Sequence, residues 1–433
     1  MLKRLSLENV GPAPAMELQF ADRLNLLTGD NGLGKSFLLD IAWWALTKQW
    51  PADVNRMLSS GTMAKSYGDN DANIYSSFSN NPVQEEIDNI GWFDRKRQIW
   101  KGGLPFGGLV IYVQADGSFS VWDPARNGWQ GPGCMGDVPL PAYVFSPREV
   151  WHGLSDINDR RLCNGLIADW AGWQKEQGPT IKLLTKILEI LSPSPDESIK
   201  IGALTRISLN DVRDMPTVKM TYGQDVPVLH ASSGVRRILA LCYLLVWTWQ
   251  EHIQACKLLG EPTARQLIFM IDEVEAHLHP KWQRSIIRSL LRMSEEICSL
   301  LIPRSETQLI ITTHSPLILA SMEPFFDPKI DKWFDIDLIA DNDHPPQVQL
   351  TEQPFIRRGD ATNWLTSNAF DLKSGGSLEA EQVLEEASVL MNGGPIDAAQ
   401  VGEIEQKLRE VLGDTDPFWI RWRYVLEKKG LLP

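Results

Sequence analysis

Gly29-Asp30-Asn31-Gly32-Leu33-Gly34-Lys35-Ser36 is the segment that leaves this chain the fewest ways to fold. It matches G-x-x-x-x-G-K-[ST] at every fixed position, and the spacing has a mechanical meaning. Glycines let successive backbone N–H groups curl around an anion without side-chain clash, and a helix that opens directly after the turn adds its dipole. Such a turn works only between a strand that delivers the chain and a helix that carries it away. Both are expected: Leu24-Asn-Leu-Leu-Thr reads as the strand, and over 36–49 the residues Phe37, Leu38, Ile41, Trp44 and Ala45 recur at helical spacing. Lys35 is then placed to bridge the β- and γ-phosphates of a nucleotide, and Ser36 to hold Mg²⁺.

Composition narrows the setting. The chain has 433 residues, 43% hydrophobic and 22% charged, a globular balance with room for roughly one large domain or two to three ordinary ones. Its formal net charge of −13 argues against a protein that coats nucleic acid with its whole surface. A local patch is still compatible, and Arg95-Lys-Arg97 and Arg421–Lys429 are basic spots that read best as solvated or ion-paired faces. Cys134, Cys163, Cys242, Cys256 and Cys298 are odd in number and far apart, which excludes a disulfide framework and fits a reducing cytosol. No long apolar stretch follows the basic pair near Met1, so a signal peptide is not expected. The longest apolar run, Ile238–Trp249, is about 12 residues, where a membrane helix needs about 20.

Along the chain, residues 1–28 alternate as strands and 59–91 read as a polar, mobile loop or lid. Leu109–Trp122 reads as a hairpin turning at Asp116-Gly117, within a region of small strands over 92–145. Residues 155–192 look helical and Ser-Pro-Ser-Pro ends that block; strands are expected near Arg206–Asn210 and Val218–Val228. A long apolar helix begins near Ser233, then a strand (Gln266–Ile271), a helix (281–298), a strand (Leu309–Thr313) and another helix. That alternation implies parallel strands with crossover helices. A hairpin over 333–351 and a helical tail over 376–429 complete the reading, with apolar stripes at Leu384, Ala387, Leu390, Met391 and at Leu408, Val411, Leu412. Ten of the 17 tryptophans fall between Trp43 and Trp173, and core packing accounts for them more simply than a partner-binding surface.

Three further segments carry chemistry. Leu267–Ile271 is an apolar strand ending in Asp272 and Glu273, at the end where an open α/β sheet binds ligand. Asp272 would orient Mg²⁺, and Glu273 would polarise the attacking water as general base. Ser232, Ser233 and Gly234 open the long helix; they are an N-cap by type and also an anion cradle, with Arg236 and Arg237 just inside adding positive field. His314 ends the next strand, within reach of a γ-phosphate. His277 and His279 lie beside carboxylates, but their i, i+2 spacing does not set both on one helix face, so a zinc site is not favoured.

Taken in order, Gly29–Ser36, Ser232-Ser233-Gly234, Asp272-Glu273 and His314 resemble an ABC-type ATPase head of the SMC/RecF and OLD-like branch. The Ile-Asp-Glu-Val-Glu-Ala-His-Leu-His-Pro and Thr-Thr-His-Ser-Pro blocks carry the resemblance most closely. It covers about residues 1–60 and 200–325. It implies an α/β P-loop head with a mixed sheet, crossover helices, an antiparallel β subdomain, a helical insertion and a helical C-terminal tail. The head would span 1–353, with inserted segments over 59–200, and the tail 354–433. It also implies that two heads sandwich ATP and Mg²⁺. Gly29, Asp30, Asn31, Gly32, Gly34, Lys35 and Ser36 would bind phosphate and metal in one copy. Ser232, Ser233 and Gly234 would complete the site from the other. Asp272-Glu273 would be the Walker B pair, His314 the switch, and His277-Leu-His279-Pro the D-loop. The signature reads Ala-Ser-Ser-Gly-Val rather than Leu-Ser-Gly-Gly-Gln. No Q-loop glutamine is evident, since Gln114 reads as part of a hairpin and Phe145-Ser-Pro-Arg148 has none.

Within the branch, the layout resembles ATPase subunits of bacterial anti-phage defence systems, Septu-like or retron-associated. That implies a cytoplasmic dimeric sensor with a separately encoded effector such as a nuclease. Two alternatives remain: a DNA-associated repair head, and an OLD-like nuclease using Asp335-Ile-Asp337 and Asp341-Asn-Asp343 as its own metal site.

Overall fold

Leu24–Gly29 is buried at every position from Leu24 to Thr28, which a strand achieves only when it is covered on both faces and flanked on both edges. The computed structural model supplies those neighbours; it describes residues 1–68, 70–79, 86–128, 140–156, 158–301, 306–341, 344–370, 372–392 and 398–431. Five parallel strands lie in the spatial order Asp331–Asp341, Leu24–Gly29, Glu306–Thr312, Gln266–Ile271 and Leu109–Val113. Antiparallel strands finish the eight-stranded sheet: His344–Gln353 at one edge, Phe119–Trp122 and Tyr143–Phe145 at the other. The hairpin over 333–351 is therefore real, and it extends the central sheet.

The helix Lys35–Thr47 leaves the glycine turn and runs between two sheets. Ten of its 13 residues are buried, so it has no solvent face to speak of. Trp43 meets Tyr112 of the central sheet at 6.2 Å between ring centroids. Trp44, the next residue, meets Trp100 at 5.6 Å on a second, antiparallel sheet. That sheet runs Ala15–Gln19, Leu2–Glu8, Asn73–Phe78, Ile87–Asp94, Ile99–Lys101. Gln308, fully buried in the central sheet, ties the two together: its amide accepts from the Leu2 N–H (3.0 Å) and donates to the Leu2 and Ala21 carbonyls (2.8 and 2.7 Å).

A helical lobe covers the other side. The 27-residue helix Ser233–Leu259 packs on Pro179–Leu191 and Leu166–Glu176, and Pro179–Leu191 also packs on Ile286–Leu301. Trp43, Trp44, Trp50, Trp100, Trp122 and Trp170 are all buried, whereas Trp92 is exposed. Chain contacts divide the molecule into Met1–Arg357 and Arg358–Pro433. In the second unit, Leu378–Asn392, Ala398–Val411 and Phe418–Lys428 close around Ala387, Met391, Leu408, Trp422 and Leu426. The two apolar stripes of the tail thus pack within their own unit.

Several expectations are corrected. Residues 59–91 are not one mobile lid: Asn73–Phe78 and Ile87–Asp94 are paired strands, with 80–85 outside the described residues. Arg206–Asn210 is not a strand; its alternation finds no partner, Leu209 is fully exposed, and only Thr205 bridges to Met215. The block 155–192 opens with a short pairing of Leu154–Ser155 and Arg161–Cys163, and helix begins at Leu166. The 281–298 helix is two pieces, Pro280–Gln283 and Ile286–Leu301.

Gly91 is where the second sheet admits the Trp44 ring, since a Cβ there would lie 2.3 Å from it. Gly91→Ala should therefore cost about 1–3 kcal/mol by overpacking, read as a lower urea midpoint at unchanged slope.

Candidate functional site

Register assembles the site. Leu26, Ile311, Ile271 and Val113 stand side by side across four parallel strands, so the residues that follow each of them emerge at one edge. Those residues include Gly29–Ser36, Thr313-His314, Asp272-Glu273 and Gln114.

The glycine turn is shaped by space as well as conformation. Gly29 has φ 130°, and a Cβ there would sit 2.1 Å from the Ile336 carbonyl oxygen on the adjacent strand. Gly34, at φ 107°, is the residue from which the helix starts. Lys35 is buried and its Nζ donates to the Gly29 and Asp30 carbonyls, both at 2.7 Å. Burial pulls the Lys35 pKa down, and Asp272, Glu273, Asp30 and Glu275 pull it back up. Asp30, Asn31, Gly32 and Ser36 are exposed at the mouth of the turn.

The carboxylates are held by their neighbours. Asp272 is 3% exposed, and its Oδ1 accepts from the Thr312 hydroxyl at 2.7 Å. The same hydroxyl oxygen accepts the Glu273 N–H at 2.7 Å. Glu273 sits in the left-handed region at φ 46°, a conformation costing a non-glycine residue about 1–3 kcal/mol and kept only where surroundings enforce it. Arg237 helps enforce it, donating to the carbonyls of Asp272 (3.0 Å), Glu273 (3.2 Å) and Ala115 (3.1 Å). Arg237 is thus turned inward as a brace. The expectation that it strengthens the field at the helix tip fails, because its guanidinium is spent on these carbonyls; only Arg236 is exposed there.

The Nε2 of His314 stands 3.9 Å from Glu273 Oε1. Burial, and then the Lys35 charge, push its pKa below the ordinary 6.5, and Glu273 opposes them. Ser232 caps the long helix, its hydroxyl accepting the Val235 N–H at 3.4 Å, and both Ser232 and Ser233 are exposed. Gly234 packs against the next loop: a Cβ there would lie 2.6 Å from the His277 carbonyl oxygen. His277 and His279 are exposed and His279 caps the Pro280–Gln283 helix. Among the described residues no group of three or more His, Cys, Asp or Glu is placed to hold a metal ion.

Gln114 is the residue sequence reading passed over. It ends the parallel strand Leu109–Val113, beside the strand of Asp272, and the hairpin turn lies beyond it. It is 1% exposed, accepts from the Ser118 hydroxyl through Oε1, and leaves Nε2 buried without a partner. The atom left over is a hydrogen-bond donor, suited to an acceptor oxygen beside the acidic strand end. The available signal was a glutamine terminating a wholly apolar five-residue run. The Ser36 hydroxyl and the Asp272 carboxylate are oxygen donors of the kind Mg²⁺ prefers.

Two other clusters are structural. Cys256, His252 and Asp123 have the residue types of a nucleophilic triad, with His252 Nδ1 2.8 Å from Asp123 and Nε2 3.5 Å from the Cys256 sulfur. The Nε2 accepts the Ala264 N–H at 2.8 Å, which leaves it no capacity as a base, and all three are buried. Asp335 is also buried, accepting from the Thr28 hydroxyl at 2.5 Å, while Asp343 lies outside the described residues.

With this geometry in place, the likenesses to known proteins can be read. Residues 137–320 match the family described as "AAA domain, putative AbiEii toxin, Type IV TA system". That stretch holds Ser232–Gly234, Asp272, Glu273 and His314. The chain is similar to the Septu protein PtuA of Bacillus thuringiensis, 23% identical over 73% of this chain and 72% of that one. These likenesses are to ATPases of defence systems, and the family match covers less than half of the chain. Shorter matches, to "Retron Vc95 probable ATPase" of Vibrio cholerae serotype O1 biovar El Tor and "Retron Ec83 probable ATPase" of Escherichia coli, are each 29% identical over 29% of this chain. They span only 22% and 24% of those relatives. The SMC head domain from Thermotoga maritima aligns over 82% of this chain and 99% of its own length, with 15% identity and a TM-score of 0.39. No described helix is long and apolar enough to cross a membrane.

Asp40, one turn beyond Ser36, accepts from the Tyr112 hydroxyl at 3.0 Å, and burial raises its carboxyl to about 7. The folded state keeps a proton that the unfolded chain loses near 3.8, so this group's contribution to stability falls as pH rises between those values. Asp40→Asn, which keeps the acceptor, should stabilise the protein more at pH 8 than at pH 5, by about 1–3 kcal/mol in paired urea titrations.

Proposed function

We propose that this chain binds and hydrolyses ATP with Mg²⁺ as a head that pairs with a second copy of itself. In this reading it is the regulatory subunit of a prokaryotic defence complex whose effector, such as a nuclease, is a separate chain. The observation that carries it is the convergence of Lys35, Asp272, Glu273 and His314 at one end of three adjacent parallel strands. Similarity to PtuA over most of both chains supports the defence setting. The tail's apolar faces close on themselves.

The chemistry follows from the side chains. Backbone N–H groups of Gly29–Ser36 cradle the phosphates, and Lys35 exchanges its carbonyl partners for β- and γ-phosphate oxygens. Mg²⁺ held by Ser36 and Asp272 would neutralise charge between those phosphates. Glu273 takes a proton from water as the water oxygen bonds to the γ-phosphorus and the bond to the ADP oxygen breaks. Thr312 and Arg237 keep Glu273 in the backbone conformation that aims it there. His314 lies across from Glu273 and contacts the γ-phosphate as a hydrogen-bond partner. Ser232 and Ser233, exposed at a helix N-terminus, meet the triphosphate held by the opposite copy.

Lys35→Ala should abolish nucleotide binding in a fluorescent-ATP titration. Glu273→Gln should still bind ATP but turn over at least ~100-fold more slowly and accumulate as a dimer on size exclusion. Parental turnover in Glu273→Gln would remove Glu273 from the role of base.

A further inference from the structure

Glu275 lies two residues past Glu273 and is spent on neither phosphate chemistry nor the helix tip. Its carboxylate points across to the neighbouring strand end. Oε2 accepts from the Thr313 hydroxyl at 2.8 Å, and Oε1 accepts the His314 backbone N–H. The Thr313 hydroxyl oxygen in turn accepts the Ser315 N–H at 3.1 Å, so three consecutive residues of the His314 segment hang on one carboxylate. A second clasp lies alongside. Gln283 donates through Nε2 to the Leu278 carbonyl (2.9 Å), and its Oε1 accepts from the Ser315 hydroxyl (2.8 Å).

The loop that bears Glu275 is itself tightly set. Ala276 N–H bonds to Glu273 O and Leu278 N–H to Glu275 O, both at 2.8 Å, with His277 at φ 63°. Its outer turn is pressed against Gly234 at the start of the serine-tipped helix. Movement of that turn therefore reaches Glu275 over a single residue, and reaches His314 through two hydrogen bonds.

We propose that Glu275 is a positioning residue: it fixes the main chain of His314, and so sets the imidazole against Glu273 and the γ-phosphate. The loop 273–279 and the segment 313–315 then shift as one body. This rests on the ATP-hydrolysing reading above. Carboxylate is the required chemistry, because both partners are donors. A glutamine keeps the size and offers the Thr313 hydroxyl an acceptor, but turns an amide N–H toward the His314 N–H. Burial also pushes the Glu275 carboxyl up, and the His314 N–H is the largest of the contacts that oppose this.

The test uses the full chain in four forms: parent, Glu275→Gln, His314→Ala and the double variant. Glu275→Gln should lower kcat about tenfold while the ATP KM stays within about twofold, and should add less than about twofold in the His314→Ala background. Separately, hydrogen exchange at the His314 amide should rise at least ~10-fold in Glu275→Gln, with the core strands unchanged. Unchanged exchange at that amide overturns the proposal whatever the turnover. So does a kcat effect that multiplies independently with His314→Ala. A parent that neither binds nor hydrolyses ATP overturns the ATPase reading instead, and the exchange measurement still decides whether Glu275 holds the segment.

Discussion

Parallel register across four strands is the constraint on which the rest of this molecule depends. With Leu26, Ile311, Ile271 and Val113 in line, a glycine turn, a histidine, two carboxylates and a glutamine emerge at the same height from separate parts of the chain. A slip of one residue along any strand would exchange its two faces and move its terminal group by about 3 Å. The apolar runs Leu26–Leu27, Phe269–Ile271 and Leu309–Ile311 resist such a slip only in part, because both faces are buried. Polar ties complete the specification: Gln308 to Leu2, Thr312 to Asp272, and Asp272 N–H to Val113 O.

Stability and reactivity meet at the ends of these strands. Thr312 uses one hydroxyl to satisfy Asp272 and the Glu273 N–H together, and Arg237 spends its guanidinium on three carbonyls. These contacts hold Glu273 in a left-handed conformation that an isolated chain would leave. Arg237 also lies near the start of the helix that Ser232 caps. The serine-tipped helix and the element bearing the proposed base are thereby braced on each other. That is the physical basis for expecting nucleotide chemistry and subunit pairing to be linked.

What could be read from sequence was whatever the chain writes locally. Gly29–Ser36 is contiguous, and Asp272-Glu273 and His314 each close an apolar run, so their place on strand ends followed from pattern alone. The buried helix after Ser36 followed from its periodicity, though only the structure reveals that Trp43 and Trp44 face different sheets. Residues whose role depends on a distant partner were illegible. Gln114 looked like hairpin because the turn at Gly117 is local, while its pairing with the Asp272 strand is not. Arg237 looked like surface charge because nothing nearby in sequence signals the three carbonyls it meets. Asn73–Phe78 looked like loop because its interior positions include Ser76 and Ser77, polar side chains that a strand accepts once Leu2–Glu8 lies beside it. Arg206–Asn210 shows the reverse: alternation without a partner makes no strand.

The central claim is that one copy's lysine cradle and the other's serine-tipped helix share a nucleotide. Mixing two inactive full-length variants, Lys35→Ala and Ser232→Arg, tests it directly, because only a heterodimer can rebuild one intact composite site. ATP turnover in an equal mixture should recover to about a quarter of the parental rate, half the dimers each carrying one good site of two. A mixture no more active than its separate components would contradict the account.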